Sequence, residues 1–231
     1  MRVTLQPAYV LHTRPFRESS LLVEVFSRDH GRIGLVARGA RGAKSRWKNM
    51  LQPFRPLLTT WVQKSDLGTL TGADQVASPP QMQGESLFCG LYANELIMRF
   101  LHRSDPHPAL FDDYQQLLHI LSAGDPLQAP LRVFEKRLLG ASGFGLQLEF
   151  EHGSNRPIEP GEWYQYLPDS GPVRRDRGDR QAEEWIAGES LIALHSEVIE
   201  TRHLRDLKRL MRTVIRHQLG DKPIASQQLF I

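Results

Sequence analysis

Cysteine is nearly missing from this chain, with Cys89 the single one in 231 residues. That excludes an intramolecular disulfide and any zinc site built on cysteine pairs. Cys89 lies between Phe88 and Gly90 in an apolar helical pattern and reads as a small packed hydrophobe. Long apolar runs are missing as well. Stretches such as Leu21-Leu22-Val23 and Leu57-Leu58 fall far short of the ~20 residues that span a bilayer. Met1–Pro7 has no apolar segment of ~7–15 residues and no small-residue cleavage site. The expectation is a cytoplasmic protein with no membrane partner.

Catalytic signatures are absent too. Nine histidines are scattered, none at the spacing of H-E-x-x-H, so no metal centre is expected. There is no G-x-S-x-G, no cysteine nucleophile with a neighbouring histidine, and no carboxylate group suited to Mg²⁺. Asp112-Asp113 is expected to favour a helix N-terminus. Gly39–Ser45 resembles a phosphate-binding loop, but Ala43 separates Gly42 from Lys44, which breaks G-x-x-x-x-G-K-[ST]. Gly140–Gly145 follows a helical pattern, so it reads as a helix end and tight turn and not as a dinucleotide site. An enzyme is not expected.

What the chain does have is segregated charge. Residues 1–80 hold 12 Lys+Arg against 5 Asp+Glu, a net +7, and the remainder carries −4. A basic N-terminal module with an anionic partner follows, joined to a more acidic remainder. Short alternating stretches predict strands at Ala8–His12, Ser20–Ser27, Arg32–Arg38, Leu57–Gln63 and Thr69–Val76, with a hairpin turn at Phe26–Arg32 where Gly31 takes positive φ. Five strands in so short a span suggest a small barrel; an OB-fold fits, and an SH3-like barrel fits the pattern almost as well.

After Pro80 the period becomes helical. Leu87–Phe100, Leu110–Leu121 and Leu131–Leu139 predict three helices that pack together. Residues 149–182 read as a small irregular insert, with a short hairpin at Trp163–Leu167 and a mobile Arg174–Arg180 loop. A last helix is expected over His203–Leu219. It would bury Leu204, Leu207, Met211, Val214 and Gln218 and present Arg202, Arg205, Arg209, Arg212 and Arg216 nearly opposite. That stripe is either a solvated face or a surface for an acidic partner, since guanidinium forks bind carboxylates and phosphates.

The most informative stretch is Val36–Asn49. It holds Arg38, Arg41, Lys44, Arg46 and Lys48, no acidic residue, two glycines and Trp47. Such density attracts phosphates without regard to sequence. Trp47 either stacks on a base or packs into the barrel as a lid.

The chain resembles the RecO family of bacterial recombination mediators over nearly its full length. The resemblance is carried by Ala8-Tyr9-Val10-Leu11-His12-Thr13-Arg14-Pro15 with Glu18-Ser19-Ser20-Leu21; Gly31-Arg32 through Val36-Ala37-Arg38-Gly39-Ala40-Arg41; Leu51-Gln52-Pro53-Phe54; Gly90–Leu96; Leu131-Arg132-Val133-Phe134-Glu135 with Leu138-Leu139-Gly140; and Gly220-Asp221-Lys222-Pro223. It implies an α+β multidomain protein: an OB-fold β-barrel at 1–80 and an α-helical domain at 81–231 containing the insert. It also implies no catalysis, binding of single- and double-stranded DNA, strand annealing, and action with RecR to help RecA replace single-stranded-DNA-binding protein. A nucleoid-associated cytoplasmic location follows.

The expected DNA-contacting residues are Arg14, Arg32, Arg38, Arg41, Lys44, Arg46, Trp47 and Lys48. Many family members hold zinc through four cysteines in the insert; this chain has His152 but no cysteine there, so no zinc is expected. The family also docks the acidic, Phe-terminated tail of single-stranded-DNA-binding protein. The matching residues are Arg132 and, on the last helix, Arg205 and Arg209, although Arg132 also fits an internal ion pair with Glu135. A protein-interaction adaptor whose barrel binds protein is the competing expectation.

Overall fold

The computed structural model describes residues 1–47, 49–124, 126–175, 185–220 and 222–226. They form two compact units: residues 1–125 with Ala225 and Ser226, and residues 126–224.

The first unit is built on a closed barrel of β1 (Arg2–Phe16), β2 (Ser20–Ser27), β3 (Gly31–Ala37), β4 (Pro56–Gln63) and β5 (Leu67–Gln75). The strands pair in the order β1-β2-β3-β5-β4, and β4 closes onto β1. β3 and β5 run parallel and the other pairs antiparallel. This parallel pair and the closure decide for the OB-type barrel over the SH3-like one. β1 is much longer than the alternation at Ala8–His12 suggests, because its first half pairs with β4 and its second half with β2. Register shifts at Val3/Gln6 and Val10/His12 bend it around the barrel and interrupt the period of two.

Alternation assigns two jobs to each strand. Ala8, Val10, Val23, Val25, Ile33, Leu35 and Ala37 fill the barrel with Trp47, Leu51, Leu57, Trp61 and Leu70. Their neighbours point outward. There Tyr9 and Phe26 meet Phe111 and Tyr114, at ring-centroid distances of 5.3–6.2 Å. Helices α1 (Glu85–Phe100) and α2 (Pro108–Ala123) therefore belong to the barrel's unit, α2 beginning on Pro108 and ending on left-handed Gly124. The Asn94 amide donates to the Leu11 carbonyl at 3.0 Å and accepts from the Tyr114 hydroxyl at 2.5 Å. Gly31, at φ +67°, permits the β2–β3 turn; a Cβ there would fall 1.9 Å from the Asp105 carbonyl oxygen. Asp112 lies past the first turn of α2, and both its oxygens accept from the Arg28 guanidinium.

The second unit contains α3 (Gln128–Ala141), β6 (Trp163–Leu167), β7 (Gly171–Arg175), β8 (Trp185–Ala187), α4 (Gly188–Ser196) and α5 (Leu204–Leu219). The expectation that the first three helices pack as one group is corrected: α3 packs with α4 and α5. The insert is a three-stranded sheet in the order β7-β6-β8. β8 and α4 show no period in the sequence, since three and nine residues are too few for one. Arg174 and Arg175 belong to β7, and residues 176–180 of the expected loop lie outside the described residues. α5 buries Leu207, Leu210, Met211, Val214 and Ile215, with Leu204 and Gln218 only half-buried. Contacts from α3, α4 and β8 make its buried face wider than a single stripe.

Candidate nucleic-acid interface

The basic segment after β3 is a chain of turns pinned at several points. The Arg41 amide donates to the Ser19 carbonyl at 3.0 Å, and its guanidinium donates to the carbonyls of Glu18 at 3.0 Å and Arg17 at 3.3 Å. The loop is thereby tied to the β1–β2 turn. Gly39 supplies positive φ at the exit from β3. Ser45 donates to Gly42 at 3.0 Å, the Trp47 amide donates to the Ser45 hydroxyl at 3.2 Å, and Met50 donates to Trp47 at 3.0 Å.

Trp47 is buried in the barrel cluster, and its indole N–H donates to the Arg38 carbonyl at 3.2 Å. The Arg46 guanidinium lies over the indole, 4.2 Å from the ring centroid, and donates to the Thr71 carbonyl at 3.2 Å. Expecting Trp47 as a base platform is therefore corrected: the ring closes the barrel and Arg46 covers it. A buried tryptophan next to basic residues cannot be told from an exposed one by composition.

Arg14, Arg38, Arg41, Lys44 and Arg46 are exposed. Arg14, Arg38 and Lys44 make no ion pair among the described residues, which leaves their charge to solvent or to a ligand. Arg17, missed in the sequence, joins them: it is exposed at φ +55° in the β1–β2 turn, its guanidinium 5.3 Å from the Phe16 ring centroid. The signal available was its place in Arg14-Pro15-Phe16-Arg17. Lys48 lies outside the described residues.

Arg32 does not join this surface. On β3 it alternates with Ile33, so when Ile33 enters the barrel Arg32 points outward, and it donates to the Met98 carbonyl of α1. Burial pushes its pKa down, with Glu24 opposing the shift. Beside it Arg103 is paired with Glu24.

In the second unit the three residues matched to tail binding do not form one cluster of available cations. Arg132 is buried and meets buried Glu135 at 2.9 Å. Arg209 donates to the Trp185 carbonyl and to Asp206 at 3.1 Å, while Asp206 also accepts from the Ala187 amide at 3.1 Å. Arg209 thus braces β8 against α5. Arg205 alone of the three is exposed.

Cys89 is in the first unit, and no group of three or more His, Cys, Asp or Glu suited to a metal occurs among the described residues. Buried Glu151 instead accepts from the Ser154 hydroxyl at 2.6 Å and the Tyr164 hydroxyl at 3.3 Å, with Arg174 at 3.6 Å. A hydrogen-bonded carboxylate ties the 151–156 turn to β6 and β7. No described helix is long and apolar enough to cross a membrane.

Two family profiles cover the chain: Recombination protein O N terminal over residues 1–79 and Recombination protein O C terminal over residues 81–228. The chain is 46% identical over 230 residues to the DNA repair protein RecO of Nitrosococcus oceani, covering 99% of this chain and 93% of that one. It is 43% identical over 230 residues to its counterpart in Methylococcus capsulatus, with 99% and 93% covered. With the RecO of Coxiella burnetii strain RSA 331 the figure is 41% over 230 residues, with 99% and 98% covered. Two profiles in series, relatives matched nearly end to end, and an OB-type barrel with an exposed basic loop agree: the chain belongs to the RecO family of DNA repair proteins.

Proposed function

We propose that this chain is a non-enzymatic recombination mediator that binds single- and double-stranded DNA through the barrel's basic loop and anneals complementary strands. The observation that carries this reading is the pinned loop with Arg14, Arg17, Arg38 and Lys44 exposed around it. Guanidinium and ammonium groups held on a rigid barrel neutralise phosphates without reading bases, and neutralising two strands removes the repulsion that keeps them apart. Arg41 acts mainly as a positioning residue, because its guanidinium holds the loop to the β1–β2 turn.

In the cell this activity serves, with RecR, to help RecA onto strands coated by single-stranded-DNA-binding protein at the bacterial nucleoid. Of the residues matched to that protein's acidic tail, Arg132 and Arg209 are held by Glu135 and Asp206, which leaves Arg205 as the one open to an anion. The protein works without zinc, so a chelator should leave its melting temperature unchanged.

The test is annealing of two complementary oligonucleotides without nucleotide or metal. If the loop neutralises about three to five phosphates, its share of the slope of log K against log salt is about −2 to −3.5 on single strands. Arg38→Glu with Lys44→Glu should slow annealing at least about tenfold while the fold persists. Unchanged affinity in that variant would move the DNA site elsewhere and favour the protein-interaction adaptor.

A further inference from the structure

The outer face of α5 carries Arg205, Lys208, Arg212 and Arg216, all exposed. Offsets of three, four and four residues put them on one side of the helix, spread over about 16 Å at ~1.5 Å per residue. None of the four has an ion pair or hydrogen bond among the described residues. Elsewhere in the same unit, Arg132, Lys136, Arg137, Arg174, Arg202 and Arg209 each face a carboxylate. Like charges four residues apart repel along a helix, as Lys208/Arg212 and Arg212/Arg216 do here. The helix dipole excuses a cation at Arg216, in the last turn, but opposes one at Arg205, in the first. This face is therefore unfavourable for the helix by itself and suited to an anion.

We propose that this face is a second nucleic-acid site, taking the phosphate backbone of a strand along the α5 axis. The choice of partner rests on the DNA-binding reading above and extends it, since annealing needs a hold on a second strand.

The face itself favours a repeating anion over an acidic peptide ending in Phe, which needs an apolar notch beside its carboxylate clamp. Among the described residues of this unit, the exposed large apolar side chains are Phe144, Phe150, Leu167 and Val198, none of them on α5. Exposed Thr213 flanks the stripe. Among the described residues, Asp206 is engaged by Arg209, Ala187 and Ser190, and Asp169 by His217 at 2.8 Å. A strand in a duplex presents a phosphate about every 3.4 Å of axis, so four cations over this length meet a comparable number of charges.

The test uses the full chain with Arg205, Lys208, Arg212 and Arg216 all changed to Gln, a good helix former. A companion with the three arginines changed to Lys keeps the charge. Binding of a fluorescent single strand is followed from about 50 to 200 mM salt, and annealing of complementary strands is timed. The Gln variant is expected to lose about 2–3 from the magnitude of the log–log slope, at ~0.7 per phosphate contact, and at least tenfold in annealing rate. The Lys companion should stay within about threefold of wild type. Wild-type slope and annealing in the Gln variant would overturn the proposal, as would a loss confined to affinity for an acidic Phe-terminated peptide. Wild-type protein that binds no strand at any salt would remove the DNA reading and this site with it. Loss in the Gln variant beside normal binding in the Arg38→Glu, Lys44→Glu variant would support α5 while sinking the loop site.

Discussion

Arg46 lies over the indole of Trp47, its guanidinium carbon 4.2 Å from the ring centroid, and the indole N–H is held by the Arg38 carbonyl at 3.2 Å. The one aromatic residue of the basic loop is therefore the joint by which the loop grips the barrel. Positioning the cations and closing the core are one structural task.

Trp47→Phe should leave affinity for a single strand within about twofold, because a buried ring stacks on no base. Trp47→Ala should cost about 3–5 kcal/mol of stability through the cavity it leaves. Oligonucleotide titration beside denaturant unfolding separates the two effects. A loss of about 1–3 kcal/mol in binding by a fully folded Phe variant would restore Trp47 as a stacking platform.

Asn94 joins three elements, accepting from Tyr114 at 2.5 Å and donating to the Leu11 carbonyl at 3.0 Å. Burial holds the Tyr114 hydroxyl far above its ordinary pKa, so it remains a donor at any physiological pH. Asn94→Leu removes both bonds and should cost about 1–3 kcal/mol in all. Denaturant midpoints should show that loss, with a smaller one for Tyr114→Phe. Equal stability of wild type and Asn94→Leu would deny the network its role.

Arg132 and Glu135 are a buried pair at 2.9 Å. Arg132→Ala removes one partner and should destabilise by about 3–5 kcal/mol, whereas Arg132→Met with Glu135→Leu should recover most of it. The measurement is thermal unfolding of the single and double variants. A fully stable Arg132→Ala protein that had lost affinity for an acidic tail would instead show a binding residue.

Glu95 on α1 accepts from the Ala225 amide at 3.0 Å, the Ser226 amide at 2.9 Å and the Ser226 hydroxyl at 2.8 Å. Partial burial raises its pKa, but these bonds and Arg99 outweigh that and hold it below the usual 4.5. A depressed carboxylate pKa stabilises above the unfolded value and is lost as pH falls through the folded one. Amides 225 and 226 should keep their exchange protection at neutral pH and lose it on acidification below about pH 4.5, the usual value. Protection that persists unchanged in Glu95→Ala would count against the clamp.

Local signals in the amino-acid order determined much of this protein. β2 carries its ends in its own composition, Gly31 marks the turn that follows it, and the density of Arg and Lys after β3 marks the exposed basic loop. Alternation also says that one face of each strand is apolar. Only the tertiary structure decided what met the other face. Arg32 was one more basic residue until α1 offered it the Met98 carbonyl, and Arg209 one more member of a stripe until β8 and Asp206 turned it inward. Trp47 and Arg132 changed from candidate ligands into packing and pairing residues for the same reason. A side chain's charge is written in the sequence, whereas the partner that uses up that charge comes from a distant segment. Which cations stay free for an anion is settled only when the barrel closes and the helices pack.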